Sequence, residues 1–137
     1  MKFKFFEHTA DAKFQAYGKD LEEAFSNAAI AMYNVITDTN KIKAKIKKEI
    51  KVEGGDLKSL LYNWLEEFLF LIDTEDFLLS KVEKLKINKM NDTYELMAVA
   101  YGDKVGSYEV KGDIKAVTYQ EMEIKKKPAM VQVVVDI

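Results

Sequence analysis

The sequence predicts an α+β protein in which two helices pack on a mainly antiparallel sheet, within one domain covering residues 1–137. Two segments with helical periodicity and several segments with two-residue alternation predict this class. The chain has 137 residues and is 48% hydrophobic. That size and composition can bury the core of one folding unit, and no linker or low-complexity tract divides the chain.

Two segments carry the periodicity of amphipathic helices. The first follows Asp20, and Glu23 stands three residues later, which is the spacing of a capping box. Apolar side chains then recur at helical spacing as far as Ile36. The second helix follows a pair of glycines, with Asp56 as its N-cap and a wide apolar face over residues 57–72. Both helices open with an Asp-Leu pair and lead into strands, which leaves open a duplicated α-β unit.

The other ordered segments are predicted to be strands. Residues 42–47 alternate isoleucine or alanine with lysine, the pattern of a strand with one solvated face. Turns are expected at 88–92 and at 125–128, where the only proline interrupts no strand ladder. The further predicted strands are 3–6, 13–17, 77–87, 93–101, 113–124 and 130–135.

Composition excludes several classes of function. The chain has no cysteine, a single histidine and a net charge of −2, and all of its 21 basic residues are lysine. Disulfide frameworks and cysteine-rich zinc sites are therefore excluded, and stable direct binding of nucleic acid is not expected. There is no signal-peptide pattern and no apolar stretch of membrane-spanning length, so we expect a cytoplasmic protein without membrane contact. Homo-oligomer formation stays open.

A polar segment directly follows the first predicted strand. It contains Glu7, His8, Thr9 and Asp11. Two carboxylates and an imidazole in one turn suit a divalent metal ion or acid-base chemistry. The alternative is that His8 and Thr9 satisfy local backbone groups while the acids are solvated.

The C-terminal segment is the second candidate site. Four valines precede Asp136 and Ile137, so the last residues are expected to belong to a buried strand. The Asp136 side chain, the Ile137 carbonyl and the terminal carboxylate would then offer oxygen ligands for Ca²⁺, Mg²⁺ or Mn²⁺. The alternative is an edge strand whose last carboxylates lie in water.

Lysines supply two further candidates. Lys115 lies in a predicted strand and could contact a phosphate or balance the carboxylates, unless it is simply an exposed strand residue. The lysine-rich run 41–51 lacks the aromatic residues on which single-stranded RNA stacks, so we interpret it as a solvated strand face. No phosphate-binding glycine loop, GxSxG elbow or HExxH motif is present.

Five segments, in order along the chain, carry recognisable motifs. They are Phe-Glu-His-Thr-Ala-Asp at 6–11, the helix 61–75, Ala-Tyr-Gly-Asp at 100–103, the strand 114–119 and the terminal Val-Asp-Ile. Together they resemble the archease family over the full length of the chain. The resemblance implies two related α-β units whose strands form a barrel-like sheet.

The resemblance also implies a function. Archeases are accessory factors of the GTP-dependent RNA ligase of the RtcB type in tRNA splicing, where they promote ligase guanylylation and multiple turnover, and they have no established reaction of their own. By family likeness the metal ligands are Asp11, Asp136 and Ile137, with Ca²⁺ the first expectation and Mg²⁺ or Mn²⁺ the alternatives. Glu7, His8 and Lys115 are expected to support them.

Other functions remain to be weighed. A chaperone-like modulator of RNA-modifying enzymes such as tRNA methyltransferases is the main alternative, and a small metal-dependent hydrolase would need Glu7 or His8 as its base. The chain also departs from the family pattern. Gln120 stands where many archeases have histidine, and Gly-Ser-Tyr at 106–108 replaces a loop that often contains one.

Overall fold

Aspartate caps fix the starts of both helices in the computed structural model, which describes all 137 residues. Asp20 accepts a hydrogen bond from the Glu23 N–H at 2.8 Å. Asp56 accepts one from the Ser59 N–H at 2.8 Å, and the Ser59 hydroxyl accepts the Asp56 N–H at 3.1 Å. These bonds satisfy N–H groups that have no partner within the helix.

The elements in chain order are β1 (Phe3–Phe6), β2 (Asp11–Gly18), α1 (Leu21–Tyr33), a 3₁₀ turn (Thr39–Lys41), β3 (Ile46–Gly54), α2 (Leu57–Glu75), β4 (Phe77–Met90), β5 (Thr93–Lys104), β6 (Ala116–Val117), β7 (Glu123–Lys126) and β8 (Ala129–Asp136).

The strands form two antiparallel sheets. The larger has the order β1-β2-β8-β6, with β7 also paired to β8, and the smaller has the order β3-β5-β4. The predicted α+β class and the mainly antiparallel pairing are confirmed. The barrel-like description is too strong, because the strands divide into two sheets and neither closes on itself. None of the helices is long and apolar enough to cross a membrane.

A glycine at the same point of both strand-helix connections allows each helix to approach the preceding strand closely. A Cβ atom on Gly18 would lie 2.6 Å from the Ala24 nitrogen, and one on Gly54 would lie 2.5 Å from the Leu60 nitrogen. Both distances are far below van der Waals contact. No side chain larger than hydrogen fits at either position without moving the helix.

An asparagine then ties each helix back to its strand. The Asn27 side chain donates to the Tyr17 carbonyl at 2.7 Å, and the Asn63 side chain donates to the Glu53 carbonyl at 2.7 Å. Each acceptor directly precedes the glycine of its own connection. The two strand-helix connections therefore share the glycine, the aspartate cap and the asparagine, which supports the predicted pair of related α-β units.

The core lies between the helices and the sheets. Trp64 of α2 is fully buried, and its indole N–H donates to the Phe25 carbonyl of α1 at 2.9 Å. Tyr33 is also fully buried, and its hydroxyl donates to the Phe77 carbonyl at 3.0 Å. Seven consecutive residues of β8 are buried, because this strand is paired on both edges. Strand β8 is thus the rigid centre of the larger sheet.

Two strand predictions need correction. The predicted strand 113–124 is wrong as one element: it contains β6 and only the start of β7, and these two strands pair with different parts of β8 and are separated by a turn. Strand β3 begins at Ile46 rather than at residue 42, because Ile42 is buried at the end of the 3₁₀ turn. The predicted solvated face is present, because β3 is an edge strand on which Lys47 and Lys51 are exposed. Both predicted turns are found but are shorter than predicted, at residues 91–92 and 127–128, because β4 extends to Met90 and β7 to Lys126.

Candidate carboxylate site at the end of the larger sheet

Asp11 and Asp136 lie directly opposite each other at one end of the larger sheet. Asp11 is the first residue of β2 and Asp136 is the last of β8, and the two are partners in the antiparallel register. Directly opposed residues place their side chains on the same face, with Cβ atoms about 5 Å apart. The structure therefore brings together the two carboxylates that the sequence predicted as metal ligands.

The other edge of β8 brings Lys115 to the same end. Asp136 is paired with Ala116 of β6, and the Lys115 N–H donates to the Asp136 carbonyl at 2.8 Å. Continuing that register places Lys115 opposite Ile137, which is 45% exposed. The side chain of Lys115 is exposed, so its ammonium group is free to balance negative charge here.

His8 connects the Asp11 carboxylate to a side chain that the sequence did not single out. Its Nδ1 atom lies 3.4 Å from Asp11 Oδ2, and its Nε2 atom lies 2.8 Å from Glu121 Oε2. Lys13 Nζ lies 3.0 Å from Glu121 Oε1. The hydrogen bonds from His8 and then from Lys13 stabilise the ionised form of Glu121 and lower its pKa below the usual value.

The Nδ1 atom of His8 is buried and has no hydrogen-bond partner, the one such side-chain atom in the chain. Buried polar atoms are normally satisfied, so an orphan beside a carboxylate pair points to a missing positive group or ligand. Glu7 is exposed and lies with Phe6 and Thr9 around a shallow depression beside this site. No hydrogen bond fixes its side chain.

The donor set suits a hard divalent ion only if the main chain contributes. No three His, Asp or Glu side chains converge closely enough to hold a metal ion by themselves. The available oxygens are the carboxylates of Asp11 and Asp136 and the main-chain oxygens of Ile137. Ca²⁺, Mg²⁺ and Mn²⁺ accept such oxygen ligands and complete their coordination with water.

Glu121 and Lys13 were missed as site residues. Lys13 belonged to a predicted strand whose alternation gave it no special role. Glu121 lay within the predicted strand 113–124, whereas it occupies the turn between β6 and β7 with a left-handed backbone, φ 52°. Only the pairing of β6 and β7 with β8 brings it to His8, and no local sequence signal reports that pairing.

The two positions that depart from the family pattern have different surroundings. Gln120 is exposed, and its N–H donates to Thr118 Oγ1 at 3.3 Å, beside the carboxylate site. Tyr108 belongs to the loop after β5, where its hydroxyl donates to Asp103 Oδ2 at 2.7 Å. This hydrogen bond is the largest cause of a lowered Asp103 pKa.

Comparison with known proteins places the chain in one family. The model of the archease protein family matches residues 3–137. Protein archease of Pyrococcus abyssi is 45% identical over 99% of both chains, and protein archease of Methanosarcina mazei is 41% identical over 99% of this chain and 96% of its own.

A solved structure agrees with this result. The solution structure of Methanobacterium thermoautotrophicum protein 1598 superposes with a TM-score of 0.83, at 37% identity and 99% coverage of both chains. The likeness therefore extends over the helices, both sheets and the carboxylate end. From the family match, the identities and the shared fold, the chain belongs to the archease protein family.

Proposed function

We propose that the chain is an accessory activator of the GTP-dependent RNA ligase of the RtcB type in tRNA splicing. The observation that carries the proposal is the register pairing of Asp11 with Asp136 at one end of the larger sheet. Membership in the archease family supports the choice of partner. The chain would act on the ligase and not as an enzyme in its own right.

Asp11, Asp136 and the Ile137 main chain would hold a divalent cation at this end of the sheet. Two carboxylates facing each other repel, and a bound cation relieves that repulsion. Lys115 would supply a mobile positive charge beside the same group of oxygens. A rigid acidic end of this kind could enter the ligase active site and help to seat metal and nucleotide for guanylylation.

The test is a guanylylation and turnover assay of the ligase with substoichiometric amounts of this chain. The unsubstituted chain should increase ligase guanylylation and restore multiple turnover when divalent metal is present. Asp11→Ala and Asp136→Ala should abolish both effects. Asp92→Ala removes the same charge from the exposed turn between β4 and β5, and it should retain full stimulation.

Three outcomes would contradict the proposal. If both site variants stimulated the ligase as well as Asp92→Ala, the carboxylate mechanism would be wrong. If stimulation survived both substitutions and chelation of the metal, the result would favour the chaperone-like modulator, which needs a binding surface but no metal. Stimulation that is absent even with the unsubstituted chain would remove the ligase as the partner.

A further inference from the structure

Glu121 is held at three points, an unusual degree of fixation for a residue of a surface turn. Its carbonyl accepts a hydrogen bond at 2.7 Å from the side chain of Gln132, a buried residue of β8. Its carboxylate contacts Lys13 of β2 at 3.0 Å and His8 at 2.8 Å. The position of this carboxylate is therefore set by the two central strands of the larger sheet.

The Asp11 carboxylate, in contrast, has only one side-chain partner. The His8 ring lies 3.4 Å from it, and no hydrogen bond to the Asp11 side chain is formed. A carboxylate that is free to rotate loses conformational entropy when it binds a cation, and this lowers its affinity. The His8 ring restricts that rotation, provided that the ring itself is held.

We propose that Glu121 is a positioning residue that holds the His8 ring and thereby fixes the Asp11 carboxylate opposite Asp136 for cation binding. The inference rests on the metal site of the proposed function. In metal sites, a ligating histidine commonly donates its second ring N–H to an outer carboxylate, which fixes the orientation of the ring. Glu121 would fix the His8 ring in the same way, although His8 here orients a ligand and does not itself bind the metal. Here the outer carboxylate comes from a turn more than a hundred residues away in sequence.

The charge of Glu121 could also attract a cation without any positioning, so the test must separate charge from hydrogen bonding. Glu121→Gln removes the charge but keeps an oxygen that can accept the His8 Nε2–H, whereas Glu121→Ala removes both. Glu123→Gln and Glu123→Ala are matched controls, since Glu123 is an exposed carboxylate on β7 with no ion-pair partner.

The measurement is the affinity of the full chain for Mn²⁺ and, separately, Ca²⁺ by isothermal titration calorimetry. Glu121→Ala should weaken binding by about tenfold, and Glu121→Gln should weaken it much less. Both Glu123 variants should bind as the unsubstituted chain does. Because Glu121 acts through His8, combining Glu121→Ala with His8→Ala should weaken binding no more than His8→Ala alone.

Other results would overturn the inference. Equal losses in Glu121→Gln and Glu121→Ala would assign the effect to charge alone. Reduced thermal stability with unchanged metal affinity would show that Glu121 only ties the turn to the sheet. Additive losses in the double variant would exclude action through His8.

A second readout keeps the inference separate from the proposed function. In the metal-free chain, the ¹³C chemical shift of the Asp11 carboxyl should move in Glu121→Ala, move much less in Glu121→Gln, which loses the same charge, and stay unchanged in Glu123→Ala. If the unsubstituted chain bound neither ion, the proposed metal site would be wrong, and this shift would still decide whether Glu121 positions Asp11. An unmoved shift would refute the positioning role.

Discussion

Asp136→Asn should be at least as stable as the unsubstituted chain without divalent metal, and less stable than the unsubstituted chain when metal is bound. Without divalent ions, Asp136 faces Asp11 across the strand pair, and like charges in that arrangement destabilise by about 0.2–1 kcal/mol. The Asp136 side chain makes no hydrogen bond that the amide would lose. In a chelating buffer the variant should therefore be as stable as the unsubstituted chain, or more stable by up to roughly 3 °C in Tm.

Bound metal should make the unsubstituted chain more stable than Asp136→Asn. A ligand at a hundred times its Kd stabilises the protein that binds it by about 2.7 kcal/mol, which corresponds to roughly 9 °C for a chain of this size. The unsubstituted chain should gain this amount, while Asp136→Asn should gain little. Thermal unfolding followed by circular dichroism, with and without Ca²⁺ or Mn²⁺, measures both the effect of the substitution on Tm in chelator and the gain in Tm on adding metal.

The control for this experiment is Asp92→Asn, which removes an equal charge from an exposed turn. It should show the same metal-induced gain as the unsubstituted chain. The reasoning would be refuted if Asp136→Asn were less stable than the unsubstituted chain in chelator. An equal gain from metal in Asp136→Asn and the unsubstituted chain would refute it as well.

Three further predictions concern the scaffold. Gly54→Ala should lower the free energy of unfolding, measured in urea, by about 1–3 kcal/mol, because the new methyl group would meet the main chain of α2. The control Gly55→Ala adds a methyl group with nothing within 4 Å and should be neutral or stabilising, so equal effects of the two substitutions would contradict the close approach of α2 to Gly54. Burial raises the pKa of Glu67, so the folded state favours its protonated form and stability falls as pH rises through that pKa. Glu67→Gln should therefore stabilise the chain at pH 7, and the gain should vanish below about pH 4, which unfolding at the two pH values measures. Tyr33→Phe should lower the free energy of unfolding by about 1 kcal/mol through loss of the buried hydrogen bond to the Phe77 carbonyl, and an unchanged urea midpoint would argue against that bond.

The helices could be predicted from the sequence because their signals are local. Asp20 and Asp56 bond N–H groups only three residues away, and the apolar spacing depends on the helix alone. The end of α1 was placed too late. Ile36 continues the apolar pattern, but the helix ends at Tyr33, and the buried side chain of Ile36 follows it in a turn.

The division between β6 and β7 could not be predicted in this way. The segment between Ala116 and Lys126 contains neither glycine nor proline, and the left-handed conformation at Glu121 is unusual for a residue of that type. The turn is imposed by tertiary structure, because both strands pair with β8 on the same edge. Pairing of that kind depends on residues distant in sequence.

Only part of the candidate site could be predicted from the sequence, again because its contacts depend on strand pairing. The residue types at Asp11 and Asp136 indicated oxygen ligands, and the family resemblance grouped them, but only the register of β2 with β8 sets them face to face. No local sequence signal connects His8 with Glu121, because the two residues are 113 positions apart. Each of these side chains can be recognised from the sequence as a candidate ligand, but which of them contact each other can be known only from the register of the strands in the folded structure.

The shared strand-helix connection is the arrangement that duplication of one ancestral unit would leave in a chain. When Gly18 is aligned with Gly54, the carboxylate of Asp11 in the first copy corresponds to Lys47 in the second. The second copy therefore has an opposite charge where the first has its acid. A repeated scaffold of this kind need not repeat a site, since only the first unit offers a carboxylate oxygen at this position.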